Sequence, residues 1–365
     1  MALTTSIPGL FPGSFAGGRA RFRAAAATAG ATLASHPNPE KGPDGEALST
    51  ESAWLGPKDA SRLLLAMAGT HGAEGFCGSG IETGWLESGI FTPLPADTAV
   101  LLIHAINPYG FAWVRRVNEN NIDLNRNFVD HAKPRPDNPG YRALRDAICP
   151  EIWSVESEAR NRDRFLAYAD AHGRMALQAA ITQGQYFDDE GVFYGGTAPS
   201  WSNRTLRAIL APHASHVKKV AFIDLHTGLG PYGYGEIISN HLSGDPGNAR
   251  VKDWYGSEAT STDGGSSTSA VISGDTHIGL AESLPGAEAT GITLEYGTVP
   301  LEDMLNAVRA DNWVHVHGDL ASAKGREIKS EFRATFYPDK DDWKKLVFDR
   351  AVDVLERTMR GLTQS

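Results

Sequence analysis

Four titratable residues stand where strands should end, and their spacing suggests hydrolytic metal chemistry. Residues 67–74 read M-A-G-T-H-G-A-E. An apolar run from Leu63 to Met67 stops at Gly69, and His71 and Glu74 follow three residues apart. A histidine and a carboxylate so spaced on a tight turn can face one metal ion, with the glycines letting the backbone bend. Alone, H-x-x-E is a weak signal that also fits a capped helix start with a surface histidine. Two further strand ends strengthen it. His226 follows the apolar run Lys218–Leu225 and precedes Thr-Gly, and Glu295 closes Gly291–Glu295 before Tyr-Gly-Thr. In open α/β sheets the ligand site lies beyond the carboxyl ends of the strands, so His71, Glu74, His226 and Glu295 are expected to converge. Two histidines and one carboxylate form the protein part of a catalytic zinc shell, with a fourth position for water. A carboxylate that does not bind the metal would be the base for that water, and Glu295 is the candidate. The bland alternatives are a buried strand-end histidine at 226 and a surface carboxylate at 295.

The elements that must position these residues read as an α/β chain. Residues 14–30 are Ala- and Arg-rich and predict a helix ended by Gly30. Ala31–His36 predicts a short strand, and Pro-Asp-Gly within residues 37–50 predicts a turn, which together suggest an N-terminal hairpin laid against the sheet. Arg62–Ala68 and Ala99–Ile106 read as buried strands, and Ile81–Leu86 continues a helix after the His-Glu turn. Residues 107–128 lack a period and read as a long functional loop. Residues 138–182 read as helical, 184–204 as a second loop rich in Gly and aromatics, and Arg204–His213 as a short helix. Glu236–Ser239 predicts a short strand, and residues 256–270 are low-complexity and expected to be mobile. Residues 340–360 predict an amphipathic helix with Trp343, Leu346, Val347, Val352, Val354 and Leu355 toward the core. Continuous apolar strands alternating with helices imply a mixed, mostly parallel sheet with helices on both faces. The expectation is a single catalytic domain over residues 1–365, with residues 1–60 as a helix-and-hairpin extension packed on it.

Composition narrows the function class. The chain has 365 residues, 41% hydrophobic and 21% charged, with Lys+Arg 34 against Asp+Glu 44. That is ordinary globular composition. The net charge of −10 and the lack of a Lys/Arg-rich run argue against a nucleic-acid partner. No stretch approaches the ~20 apolar residues of a membrane span, and the N-terminus is not a good signal peptide, so the expected location is cytoplasmic. The two cysteines, Cys77 and Cys149, make no disulfide framework and fit a reducing compartment.

Five motifs then fall in one order: THGAE (Thr70–Glu74), INPYG (Ile106–Gly110), DLNRNF (Asp123–Phe128), DLHTG (Asp224–Gly228) and LEYGT (Leu294–Thr298). With them the chain resembles the zinc carboxypeptidase superfamily, which joins carboxypeptidase A-like metallopeptidases with succinylglutamate desuccinylase and aspartoacylase relatives. It looks most like an uncharacterised bacterial branch, with DLNRNF the most specific motif. The resemblance implies a carboxypeptidase-like (phosphorylase/hydrolase-like) architecture and one zinc ion held by His71, Glu74 and His226. It implies that Asn125 and Arg126 grip a substrate carboxylate, since a guanidinium matches a carboxylate with two parallel donors. It also implies an upstream arginine over the scissile carbonyl. Arg115 and Arg116 both qualify, and Arg116 is preferred from the R-x-N that precedes I-D-L-N-R. Asp123 would support His71, and Glu295 would act as general base and then as acid to the leaving amine. The mobile tyrosine of the digestive enzymes has no convincing match, because Tyr232, Tyr234 and Tyr255 all lie outside a recognisable motif. Residues 191–197 (GVFYGGT) fit a pocket rim and a plain surface loop equally. The implied substrate is a small peptide or an N-acyl amino acid with a free carboxylate. A deacylase and a non-catalytic carboxylate-binding protein are the alternatives. Of the remaining histidines, His277 is the first to check, and Cys77 is expected to be buried.

Overall fold

The computed structural model describes Leu3 and residues 5–364. Eight strands build one sheet: β1 (Thr32–Lys41), β2 (Ala47–Leu55), β3 (Arg62–Ala68), β4 (Thr98–His104), β5 (Lys219–Tyr232), β6 (Gly235–Ser239), β7 (Ala259–Ser261) and β8 (Glu288–Gly297). Their spatial order is β1-β2-β4-β3-β5-β8-β6-β7. The central strands β4, β3, β5 and β8 run parallel, and the β1–β2 hairpin and β6 join antiparallel. The sheet is therefore mixed and mostly parallel, as the strand pattern predicts.

Both faces of the sheet are covered, which is why β3 reads as unbroken apolar sequence. Leu64 and Ala66 face a core with Phe76, Trp85 and Trp343, and Leu63, Leu65 and Met67 face one with Leu206 and Leu210. The N-terminal hairpin lies in the sheet itself, because β2 pairs with β4 from Glu51–His104 to Leu55–Val100. Ahead of it the helix Phe15–Thr28 is capped by the Ser14 hydroxyl and packs on the helix Gly75–Ser88.

Several expectations need adjusting. Strand β1 extends to Lys41, well past His36, because its partner β2 continues beside it. Residues 138–182 form three helices, Pro139–Ile148, Val155–His172 and Arg174–Thr182, interrupted around Pro150 and at Gly173, whose φ is +94°. Residues 107–128 remain mostly irregular but hold a short helix Pro108–Ala112 and a 3-10 turn Leu124–Arg126. The sequence reading assigned no element between residues 300 and 339, where two helices stand, Leu301–Val316 and Ala323–Phe336. In the C-terminal helix Asp341–Gln364, Trp343, Val347, Val354 and Leu355 are buried as expected. Leu346 is 49% exposed and Val352 only half-buried. At 100° per residue both fall off the stripe that Trp343, Val347 and Val354 share. No helix of the described residues is long and apolar enough to cross a membrane.

Candidate metal centre and its cavity

The strand register brings the distant motifs together. Met67 of β3 pairs with Asp224 of β5, and His226 of β5 pairs with Glu295 of β8. All four strand-end residues of the sequence reading, His71, Glu74, His226 and Glu295, line one cavity with Arg116, Asn125 and Arg126. Ligand atoms of His71, Glu74 and His226 lie within 4.8 Å of one another, and the three residues are buried.

The turn that carries the first two ligands is built on glycine. Gly69 has φ +71°, a left-handed conformation that side chains disfavour. Gly72 opens a 3-10 turn, Gly72–Glu74, that runs into the helix Gly75–Ser88. A Cβ on Gly72 would lie 1.9 Å from the carbonyl carbon of Gly110, so only glycine allows the turn to sit against the helix Pro108–Ala112. The N–H groups of Gly72 and Ala73 donate to the carbonyls of Arg116 and Arg115, tying this turn to the arginine loop.

The orientation of the two histidines is the most informative feature. Both Nδ1 atoms face Glu74: His71 Nδ1 is 2.8 Å from Oε1, and His226 Nδ1 is 2.9 Å from Oε2. Both Nε2 atoms meet a second carboxylate, Asp123 Oδ1 at 3.2 Å for His71 and Asp224 Oδ2 at 3.1 Å for His226. Each ring thus lies between two carboxylates, and with the proton on Nε2, held by Asp123 or Asp224, Nδ1 is the atom left to ligate a cation. Two Nδ1 lone pairs aimed at carboxylate oxygens are repulsive unless a cation or extra protons lie between them. The pKa directions express the same demand. Burial would lower His226, yet Asp224 and Glu74 carry it well above its ordinary value. Burial would raise Glu74, yet His71 and His226 hold it well below the usual carboxylate range. Two imidazole nitrogens and a carboxylate are a donor set that zinc accepts.

Asp123 does more than face His71. Its other oxygen accepts Arg116 Nε at 2.9 Å, and Oδ1 also accepts the Asn125 N–H at 3.0 Å. Burial would raise its carboxyl, and Arg116, Arg126 and His71 hold it well below the ordinary value. Arg116 lies 3.7 Å from Glu74 Oε1 and over the Phe193 ring. Arg115 instead donates to Asn121 and approaches Asp311, away from the cavity, so the structure separates the two arginines that sequence left open.

Arg126 is 3% exposed and clamped. Nη1 donates to its neighbour Asn125 carbonyl at 2.9 Å, Nη2 donates to the Thr182 carbonyl, and the guanidinium lies 5.6 Å over Phe193. These bonds fix the plane of the fork and leave further N–H groups for a ligand. Asn125 Nδ2 sits 3.5 Å from His226 Nε2, and its Oδ1 accepts the Thr276 N–H. Glu295 is nearly buried, and Oε1 accepts the Leu229 N–H at 3.0 Å. Burial, reinforced by the charge of Glu74, pushes its carboxyl up to about 7.

Other residues have different fates. Phe193 of the GVFYGGT segment forms cavity wall, so that segment is a rim. Leu301, Met304 and Phe336 line the cavity from the two helices absent from the sequence reading. Tyr255 is buried against Thr358, Tyr232 donates to Asp342, and among the described residues no tyrosine lines the cavity. His277 packs edge-on against His241 and stays outside the ligand group. Cys77 is buried as expected. Asp224 and Thr276 went unassigned in the sequence reading. Asp224 was legible in principle, since residues two apart on a strand share a face and Asp224 precedes His226 by two.

Fold and site together define an α/β protein with a buried His-Glu-His candidate metal centre at the carboxyl ends of parallel strands. The chain belongs to the family described as protein of unknown function (DUF2817), which matches residues 11–350. No curated protein matches the chain. Among solved structures it is similar to carboxypeptidase A from Helicoverpa armigera, with 11% identity, 91% of this chain and 76% of that one covered, and a TM-score of 0.46. It is also similar to bovine thrombin-activatable fibrinolysis inhibitor in complex with tick carboxypeptidase inhibitor, with 11% identity, 95% and 98% covered, and a TM-score of 0.45. A third likeness is to an aspartoacylase family protein from Mesorhizobium loti, with 17% identity, 73% and 61% covered, and a TM-score of 0.34.

Proposed function

We propose that the protein is a zinc-dependent hydrolase that cleaves an amide bond next to a free carboxylate, in the manner of a metallocarboxypeptidase. The observation that carries this reading is the pair of histidines whose Nε2 atoms face Asp123 and Asp224 while both Nδ1 atoms converge on Glu74. When bound, zinc would polarise the scissile carbonyl and make water acidic near neutral pH. The chain's own groups do the rest. Arg126, fixed by its two backbone acceptors, and Asn125 hold the substrate carboxylate, which places the neighbouring amide beside Glu295. Glu295 takes a proton from the attacking water and gives it to the nitrogen of the breaking C–N bond, releasing an amine and a new carboxylate. A carboxyl raised by burial is suited to both roles. Arg116, held by Asp123, stands where negative charge builds on the carbonyl oxygen.

The substrate is a small peptide or an N-acyl amino acid, and the enzyme works as a single catalytic unit in the cytoplasm. An N-acyl amino acid deacylase would use the same ligands and the same carboxylate grip. Zinc-loaded protein given a panel of C-terminal dipeptides and of N-acyl amino acids separates the two by the product released. Cleavage of dipeptides supports the peptidase, and cleavage confined to N-acyl amino acids supports the deacylase. If zinc-loaded protein leaves both panels intact, the hydrolase reading fails.

A further inference from the structure

We infer that Asp224 is a positioning residue through which Thr276, on the far wall of the cavity, helps to set the metal affinity of His226. This rests on the metal-binding reading of His71, Glu74 and His226. Asp224 is 1% exposed, and all of its contacts are directed. Oδ2 lies 3.1 Å from His226 Nε2 and accepts the Thr276 hydroxyl at 2.7 Å. Oδ1 accepts the Thr70 hydroxyl at 2.8 Å. Thr70 immediately precedes His71, so one carboxylate is tied to both histidine ligands.

The contacts continue from Asp224 into the carboxylate grip. Thr276 begins the helix Thr276–Ser283, and its N–H donates to Asn125 Oδ1 at 3.3 Å. Asn125 in turn donates its backbone N–H to Asp123 Oδ1, which also faces His71 Nε2. Ligand, carboxylate, helix start and carboxylate grip therefore share one buried polar network, in which moving one member leaves another unpaired. A carboxylate on the distal nitrogen of a ligating histidine fixes its tautomer and raises its basicity. Here the carboxylate is itself fixed by two hydroxyls from different elements. Removing the Thr276 hydroxyl frees Asp224 Oδ2 to shift, and His226 loses its orientation although Thr276 touches neither the histidine nor the cation.

The test is zinc affinity by chelator competition for wild type, Asp224→Asn, Thr276→Val, Thr276→Ser and the Asp224→Asn/Thr276→Val double variant, each with its thermal melt. Asp224→Asn should weaken zinc by about 10–100-fold, the scale for outer partners of metal ligands, and Thr276→Val by a smaller factor. Thr276→Ser should restore wild-type affinity, and the double variant should be no weaker than Asp224→Asn alone, because the two act through one contact. The absorption band of cobalt-loaded protein should change in Asp224→Asn, which a residue serving stability alone would not cause. Unchanged zinc affinity in Asp224→Asn and Thr276→Val overturns the inference while leaving the metal reading intact. Wild-type protein that binds neither zinc nor cobalt overturns both. Should Asp224→Asn fail to fold, Thr276→Val against Thr276→Ser decides alone: equal affinities overturn the inference, and a loss restored by serine supports it.

Discussion

Arg126 illustrates how a side chain can be both structural and available. Its guanidinium is held by the carbonyls of Asn125 and Thr182 and lies over Phe193, so its direction is set before any ligand arrives. Lysine cannot reproduce a planar fork, so Arg126→Lys should raise KM by about 10-fold or more while kcat changes less. Steady-state kinetics check this, and a fall in kcat at unchanged KM would count against a binding role. His104 carries a second expectation. It is fully buried, its Nε2 pairs with the Ser79 hydroxyl, and burial lowers it to about 4. A histidine whose folded value lies below its unfolded one binds protons better when unfolded. The stability it contributes is complete above about pH 6.5 and is lost as the pH falls toward 4. Replacing His104 by Gln should reduce the stability lost between pH 7 and 4.5 by about 2–3 kcal/mol, read from urea unfolding at the two pH values. The motifs made His71, Glu74, His226 and Glu295 legible because each sits at a strand end beside small residues. Asp224 could have been read from its place two before His226 on the strand, whereas Thr276 could not, since its value lies in a contact with Asp224 that only the fold creates.

The turn Gly72–Glu74 places two ligands at once, and its position depends on contact with the helix Pro108–Ala112. Gly72→Ala would force a Cβ into the Gly110 backbone and push the turn outward. Such overpacking costs about 1–3 kcal/mol, and the displacement should weaken zinc binding as well. A melt together with a zinc titration of this variant tests both parts, and an unchanged zinc affinity would mean that the turn tolerates the shift. Among elements, the parallel strands and flanking helices were readable because burial on both faces leaves continuous apolar runs. The helix Leu301–Val316 left no such mark because it buries Arg309, Asp311 and Asn312 among its apolar residues, and Ala323–Phe336 shows only a sparse stripe of Ile328, Phe332 and Phe336. Yet they bring Leu301, Met304 and Phe336 to the cavity. The pocket wall therefore depends on a region where the sequence pattern is quiet, which is why substrate side-chain preference was not readable.

The molecule concentrates opposite charges in a buried centre within a chain whose net charge is −10. Glu74, Asp123 and Asp224 crowd around two histidines and Arg116, and such a cluster is stable only when its charges are matched. A cation that binds the folded chain alone stabilises it by RT ln(1 + [L]/Kd), about 2.7 kcal/mol at 100 times Kd. Added zinc should therefore raise the thermal midpoint and a chelator should reverse it, and an unchanged midpoint would argue against a built metal site. The most direct measurement compares turnover of wild type and Glu295→Gln at equal, measured zinc content on whichever substrate the panels identify. Gln keeps the shape of Glu295 but cannot accept the proton, so zinc content should match wild type while kcat falls by about 10²–10⁴-fold. Wild-type turnover by zinc-loaded Glu295→Gln would contradict the mechanism.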